Sequence, residues 1–434
     1  MSSELAAFRL GDVRGVYPDD IDESFAIGFA HAFAERFGLH GQVATGRDMR
    51  ESSPALQGAL NEGLRQAGLD VVDLGLCTTE LGYFASTRGR FGATIVVTAS
   101  HNAARYNGFK CVLTDGAAVT FESGLSDVRE LMRSGYRREG PMGSLTEEDL
   151  HPEYIGFLET CFVIDALRAR SIALNGLNGT AATLADALAT RFGLPVTWFR
   201  QQPGPIPREG ADPANPRLVA QMQTFMAGGG FDLGVAWDGD CDRCVFYDGD
   251  GNLMPTYYMV GLLAETFLSS SPGAAVVFDT KLQWNTLEII GRLGGVAVPS
   301  ETGHAFMKRH MRQTRAIYGG ELSSHHYFGD FFGCDSGMFA WLKLVELLAS
   351  AGESLGSLVA DRRAQICCTP EISLALTDAG AALAAIETEY EPRATRVADE
   401  VWVVEACGFD YAQCRDDDDS KQRRLLSGLR LLLR

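Results

Sequence analysis

Short apolar runs with strand character alternate with amphipathic helical stretches along most of this chain. That alternation restricts it to the α/β class, in which helical crossovers join parallel strands. In the first unit Gln42 to Thr45 reads as a strand, Pro54 to Ala67 as a helix capped by Ser52 or Ser53, and Val71 to Leu74 and Ala93 to Val97 as further strands. A polar, glycine-rich stretch from Tyr136 to Asp149 reads as a linker. The second unit opens on the strand Ser171 to Leu174, passes through the turn NGLNG into the helix Thr180 to Phe192, and ends in the strand Leu233 to Trp237. The third, from about Met259 to Cys367, holds strands Ala274 to Phe278 and Val296 to Pro299 and a helix that starts at His304. One design used three times suggests internal repetition, although periodicity alone does not establish a repeat.

From Thr369 onward the pattern changes to a helix, Ala379 to Tyr390 with Thr377 or Asp378 as cap, a strand Glu400 to Glu405, and an end with four consecutive aspartates before a basic, leucine-rich run. That end reads as a solvated loop and a short amphipathic helix. A length of 434 residues exceeds what one core supports and predicts three or four domains. The divisions expected are 1–140, 150–255, 256–368 and a smaller, divergent α+β unit over 369–434.

With 46% hydrophobic and 22% charged residues the chain can bury a sizeable interior. Its formal charge of −18 argues against nucleic acid and anionic membrane surfaces as partners, because both select basic patches. An anionic substrate then requires a locally basic cleft. The start MSSELAAFRLGDVRG lacks a cationic segment followed by an apolar one, and no stretch reaches 18 uninterrupted apolar residues, so a cytoplasmic protein is expected. Of the ten cysteines, Cys241 and Cys244 come nearest to a zinc pair, without further Cys or His ligands nearby; reduced, mostly buried thiols are expected.

Chemistry concentrates in four places. In TASHNAAR, Thr98 to Arg105, a serine follows a buried strand, where α/β proteins bind ligands and react; Ser100 is the candidate nucleophile. In WDGDCDR, Asp238, Asp240 and Asp242 alternate as oxygen ligands do around a hard divalent cation. A serine hydroxyl is a poor nucleophile at neutral pH, and a serine that carries phosphate needs such a cation and positive side chains to spread the charge. In TGHAFMK, His304 and Lys308 lie four residues apart, on one face of a helix whose amino end attracts anions. In GGELSSHHYF, carboxylate and hydroxyl groups can share hydrogen bonds with sugar hydroxyls, while the second histidine, His326, reads as packing.

TASHN with YNGFK after it, DGDCDR, TGHAFMK and GGELSSHHYF are similar, in order and spacing, to the signature loops of the phosphomannomutase/phosphoglucomutase family, the α-D-phosphohexomutases, over roughly residues 5 to 365. The resemblance implies three similar mixed α/β domains around a central cleft, with the phosphoserine in the first, the metal in the second and sugar recognition in the third. It implies that Ser100 carries phosphate in the active form, and that this phosphate and Asp238, Asp240 and Asp242 share one Mg2+. Arg14, Lys110 and Arg243 are implied to line the reacting centre, and Lys281 and His304 the cleft. Glu321 and Ser323 are implied to hold the sugar 3- and 4-hydroxyls, with His325 near the reactive end. The implied reaction passes a phosphoryl group from Ser100 to a mannose- or glucose-type phosphate, giving a bound bisphosphate that returns its other phosphate, with His304 or His325 assisting proton transfer. A sugar bisphosphate acts as activator, and the enzyme is expected as a monomer or homodimer.

Two departures stand out. Gly11 occupies a position where the family usually has tyrosine. The family's RxSNTEP-type phosphate clamp is missing, and CRDDDDSK lies in its place, where aspartates would repel a dianion. Arg415, Ser420, Lys421, Arg423 and Arg424 are the nearby candidates, better read as surface charges. Either the phosphosugar binds weakly, or its second phosphate is anchored elsewhere, or the substrate is not an ordinary hexose phosphate. Two rival functions follow: phosphoserine-dependent transfer on an unusual sugar or nucleotide-like substrate, and a non-catalytic ligand-binding relative.

Overall fold

The computed structural model describes residues 6–207 and 210–366, a few separate positions beyond them, and two strands, Ala394–Ala398 and Val401–Val404. Those strands pair antiparallel, the second falling within the expected strand Glu400 to Glu405. The helix Ala379 to Tyr390 lies largely outside the described residues. Asp378 Oδ1 accepts from Ala381 N at 2.9 Å, the bond expected of a helix cap. The CRDDDDSK segment and its five neighbouring candidates lie outside the described residues.

The first sheet runs in the order Val13–Val16, Tyr106–Leu113, Phe91–Val97, Gln42–Arg47, Asp70–Leu76, Leu145–Glu147. Phe91–Val97, Gln42–Arg47, Asp70–Leu76 and Leu145–Glu147 are mutually parallel, as helical crossovers require. Tyr106–Leu113 is antiparallel to both neighbours. Only Thr98 to Arg105 separates it from the preceding strand, too short a span for a crossover. The stretch Tyr136 to Asp149 is therefore not wholly a linker: Leu145–Glu147 extends this sheet. Three exposed residues flanked by Gly140, Pro141 and Gly143 hid it from a reading based on apolar runs.

The helix Ser53–Gln66 starts where Pro54 allows, with Ser52 at the N-cap as expected, but no side-chain bond closes that cap. Ser53 Oγ instead donates to Asp48 Oδ1 at 2.5 Å, and Ser52 Oγ accepts from Asn107 Nδ2 at 2.9 Å. One face of the sheet buries Phe25, Phe29 and Phe33 of the helix Glu23–Arg36 with Phe109, rings 4.9 to 6.5 Å apart. On the other lies the short helix Thr79–Ser86, buried at every residue.

The second sheet, Cys244–Tyr247, Leu233–Trp237, Ile172–Asn175, Val196–Arg200, and the third, Val296–Ser300, Ala275–Asp279, Tyr318–Gly320, His326–Phe328, Cys334–Asp335, are also mixed. A continuous core joins all three units, from Phe84 through Tyr154 and Trp237 to Trp341. Trp237 and Trp341 meet edge to face at 5.4 Å, a geometry that adds about 0.5–1.5 kcal/mol beyond the area buried. Among the described residues no helix is long and apolar enough to cross a membrane.

Candidate active site

Parallel pairing of Gln42–Arg47 with Phe91–Val97 ends in the register Arg47 to Val97, which brings the next residues, Asp48 and Thr98, together at the carboxyl edge. Thr98 Oγ1 donates to Asp48 Oδ2 at 2.9 Å and accepts from Ser100 N at 2.9 Å. Ser100 itself has φ of +50°, a conformation that costs a non-glycine residue on the order of 1 kcal/mol and persists where its surroundings impose it. Its side chain is buried, and Oγ donates to Asp238 Oδ2 at 2.6 Å, across two units of the fold.

The strand Leu233–Trp237 delivers the aspartates in the same way, at the carboxyl edge of the second sheet. Asp238, Asp240 and Asp242 are buried, and one oxygen of each lies within 4.8 Å of the others. A Cβ on Gly239 would come 2.6 Å from Ser100 O, so only glycine lets the acidic loop and the serine loop abut. Asp240 Oδ2 accepts from Thr79 Oγ1 at 2.7 Å and Lys110 Nζ at 2.7 Å, and lies 3.2 Å from Thr98 Oγ1, whose nearer acceptor is Asp48. Lys110, which pairs with Val96 across the strands, also donates to Asp242 Oδ2.

Charge in this cluster is unevenly balanced. Burial, with Asp240 and Asp242 beside it, pushes the Asp238 carboxyl well above the usual range. Burial opposes ionisation of Asp242 too, but Lys110 and His325 prevail and hold it well below. Lys110 is likewise opposed by burial and kept above the ordinary lysine value by Asp240 and Asp242. Asp240 Oδ1 is buried without a hydrogen-bond partner among the described residues. Three buried carboxylates with an unsatisfied oxygen form an oxygen-only donor set that fits a hard divalent cation.

All three units supply the remaining groups. Arg14 Nη1 donates to Asn102 Oδ1 at 3.0 Å and pairs with Asp12, which places it against the serine loop. Arg243 and His325 form a backbone bridge, and Arg243 Nε donates to His325 Nε2 at 3.3 Å. In its neutral form that imidazole therefore carries its proton on Nδ1, which faces Ser323 Oγ at 2.8 Å and Glu321 Oε2 at 3.3 Å. Glu321 also accepts from Gly303 N at 2.6 Å and Tyr327 Oη at 2.5 Å. His326 meets Tyr318 Oη at 2.7 Å in the interior and is packing, as expected.

His304 is half-buried, its basicity lowered by burial and by Lys308, and its Nδ1 has no partner among the described residues. Its Nε2 lies 3.2 Å from where a Cβ on Gly11 would stand, so the departure at position 11 makes room for this ring. Lys281 Nζ is buried and without a hydrogen-bond partner among the described residues. Lys308 lies near His304, as the shared helix face predicts, but is buried. Its ammonium is 2.7 Å from Asp335 Oδ1 and 3.6 Å from the centre of the Tyr83 ring, joining the third unit to the first.

Several contributing residues escaped the sequence reading. Asp335 lies with Asp242 and His325 within 4.8 Å. His101 Nδ1 approaches Ser100 Oγ at 3.3 Å, its pKa lowered to about 2 by burial and by Arg243 and Arg14. Asp48 and Arg50 form a fully buried ion pair at 3.0 Å beneath the serine loop. The signal for that pair was the run GRDMRESS directly after a strand, a polar cluster at a carboxyl edge.

Comparison with known proteins agrees with this architecture. Sequence profiles described as "Phosphoglucomutase/phosphomannomutase, alpha/beta/alpha" domains I, II and III match residues 6–134, 152–251 and 255–366. A "Phosphomannomutase" of Escherichia coli is 38% identical over 408 residues, covering 91% of this chain and 89% of the relative. "Phosphohexose mutases" of Xanthomonas campestris pv. campestris is 37% identical over 388 residues, covering 89% and 86%. The crystal structure of a phosphoglucomutase/phosphomannomutase family protein from Burkholderia thailandensis superposes with a TM-score of 0.74 at 30% identity, covering 83% of this chain and 80% of that one. Three successive domain matches and long relatives above 30% identity leave one assignment: the chain belongs to the phosphoglucomutase/phosphomannomutase family, the α-D-phosphohexomutases.

Proposed function

We propose that this protein is a phosphohexose mutase that moves a phosphoryl group between positions of a mannose- or glucose-type phosphate by way of Ser100. The observation that carries the reading is the 2.6 Å contact of Ser100 Oγ with Asp238, made between units one and two. The acidic loop would hold Mg2+ through Asp238, Asp240 and Asp242, and the ion when bound supplies charge neutralisation at the transferring phosphoryl group. In transfer, the bond from Ser100 Oγ to phosphorus breaks and a sugar oxygen takes the phosphoryl group; that hydroxyl's proton passes to His304, whose Nδ1 is unpaired, or to His325 Nε2 once Arg243 releases it, and Ser100 Oγ, the leaving group, ends as a hydroxyl with one proton taken up in return. Arg14, Lys110 and Arg243 spread the phosphoryl charge from three directions. Glu321 and Ser323 bind vicinal sugar hydroxyls, and Lys281 offers its unpaired ammonium to the substrate's other phosphate.

In this reading residues 1–140 carry the phosphoserine, 150–255 the cation and 256–368 the sugar, with 369–434 as a terminal unit. A hexose bisphosphate activates the enzyme by charging Ser100, and the protein works in the cytoplasm as a monomer or homodimer. The test is phosphopeptide analysis after incubation with glucose 1,6-bisphosphate and Mg2+. Phosphate on Ser100, lost together with mutase turnover in Ser100→Ala, is expected. A chain that stays unlabelled removes the reading.

A further inference from the structure

One guanidinium organises the nucleophile loop from beneath. Arg50 is 2% exposed, and each of its five N–H groups has a partner. Nη2 donates to Ser100 O at 2.8 Å and Asn102 O at 2.7 Å, while Nη1 donates to Ala103 O at 2.8 Å and Tyr106 O at 2.9 Å. Nε donates to Asp48 Oδ2 at 3.0 Å. Asp48 is fixed in turn by Thr98 Oγ1, Ser53 Oγ and Arg50 N. The loop thus folds around a planar fork whose directions match four of its carbonyls. A lysine, with three donors on a flexible stem, cannot reproduce that pattern.

We infer that Arg50 is a positioning residue for phosphoryl transfer, a template that holds Ser100 in its left-handed conformation with Oγ facing the acidic loop. No N–H group remains to touch substrate, so Arg50 acts on the serine and not on sugar binding. This inference rests on the reading of Ser100 as the phosphoryl carrier. The loop has few backbone bonds of its own, those from Asn102 N to Ala99 O and Tyr106 N to Ala103 O among them, and the guanidinium replaces the missing ladder.

The test compares wild type, Arg50→Lys and Ser100→Ala by the rate of Ser100 labelling with glucose 1,6-bisphosphate, steady-state kinetics, and amide hydrogen exchange at 10 °C. In Arg50→Lys, labelling and kcat are expected to fall about 100-fold, the scale of a misplacement near 1 Å, with KM within about threefold. Exchange should quicken over residues 100–106 while the strand Phe91–Val97 stays protected. Labelling of Arg50→Lys at the wild-type rate overturns the inference. So does protection lost evenly across the first unit, or a variant that does not fold at 10 °C, since Arg50 would then support the domain as a whole. Undiminished labelling of Ser100→Ala sinks the carrier reading itself, whereas the exchange pattern reports on the template independently of the chemistry.

Discussion

Around Ser100 the polar atoms are matched by protein: Oγ by Asp238, the carbonyl by Arg50, and the neighbouring Thr98 by Asp48. Around Lys281 and His304 they are not, and a buried Nζ and a buried Nδ1 lack hydrogen-bond partners among the described residues. Buried polar groups left unmatched carry a desolvation cost that a protein keeps only for a purpose, and ligand binding is the common one. On the proposed function, the contrast separates a serine held in advance, beside an Asp240 Oδ1 left open for a cation, from a recognition end completed by substrate.

The harshest challenge to this contrast is Asp240→Ala, which strips partners from Thr79 and Lys110 at once. Turnover should fall by on the order of 10³, as when preorganised charge is removed, and stability by only about 1 kcal/mol, because Lys110 keeps Asp242 while Asp238 loses a like-charged neighbour. Mutase assays and urea titration read both, and a variant hurt only in KM would contradict the division. Lys281→Met probes the other end: KM for the hexose phosphate should rise about 10- to 100-fold with kcat nearly unchanged. Equal losses in kcat and kcat/KM would move Lys281 into the reacting group.

Glu80 sharpens the comparison through pH. It ties the helix Thr79–Ser86 to the third unit, accepting from Ser336 Oγ and, at 3.3 Å, from Met338 N at the start of the helix Gly337–Ala351. Burial pushes its pKa from 4.5 up to about 8. A raised folded-state pKa contributes stability that is fully present below pH 4.5 and is lost as the pH climbs through about 8. Glu80→Gln keeps an acceptor without the charge. Its stability relative to wild type should therefore improve between pH 4.5 and 8 by about 4 kcal/mol, measured by urea unfolding at both values. The smallest effect is expected of Gly11→Ala, whose methyl would press on His304: KM should rise about threefold with kcat intact, a recognition effect alone.

Much of this was legible in the sequence because the reactive loops sit at strand ends, where apolar runs stop and polar motifs begin. The strand Leu233–Trp237 and the start of the helix at His304 were read as they stand. The antiparallel return Tyr106–Leu113 and the edge strand Leu145–Glu147 were not, since apolar alternation carries no direction and three exposed residues carry no period. The site's motifs pointed to Ser100, the aspartates and the sugar loop. They missed Arg50, Glu80 and Asp335, because a buried charge and a surface charge look alike until the partner that neutralises it, tens or hundreds of positions away, is known. Helical spacing put Lys308 near His304, where it lies, but could not show its interior partners Asp335 and Tyr83.

The absent side chain of Gly239 has a wider bearing. Main chain close against main chain fixes the spacing between the Ser100 loop and the acidic loop, and any side chain at position 239 would force the two apart. On the proposed function, a substitution around Glu321 and Ser323 in the third unit would alter sugar preference without disturbing the junction of the first two units.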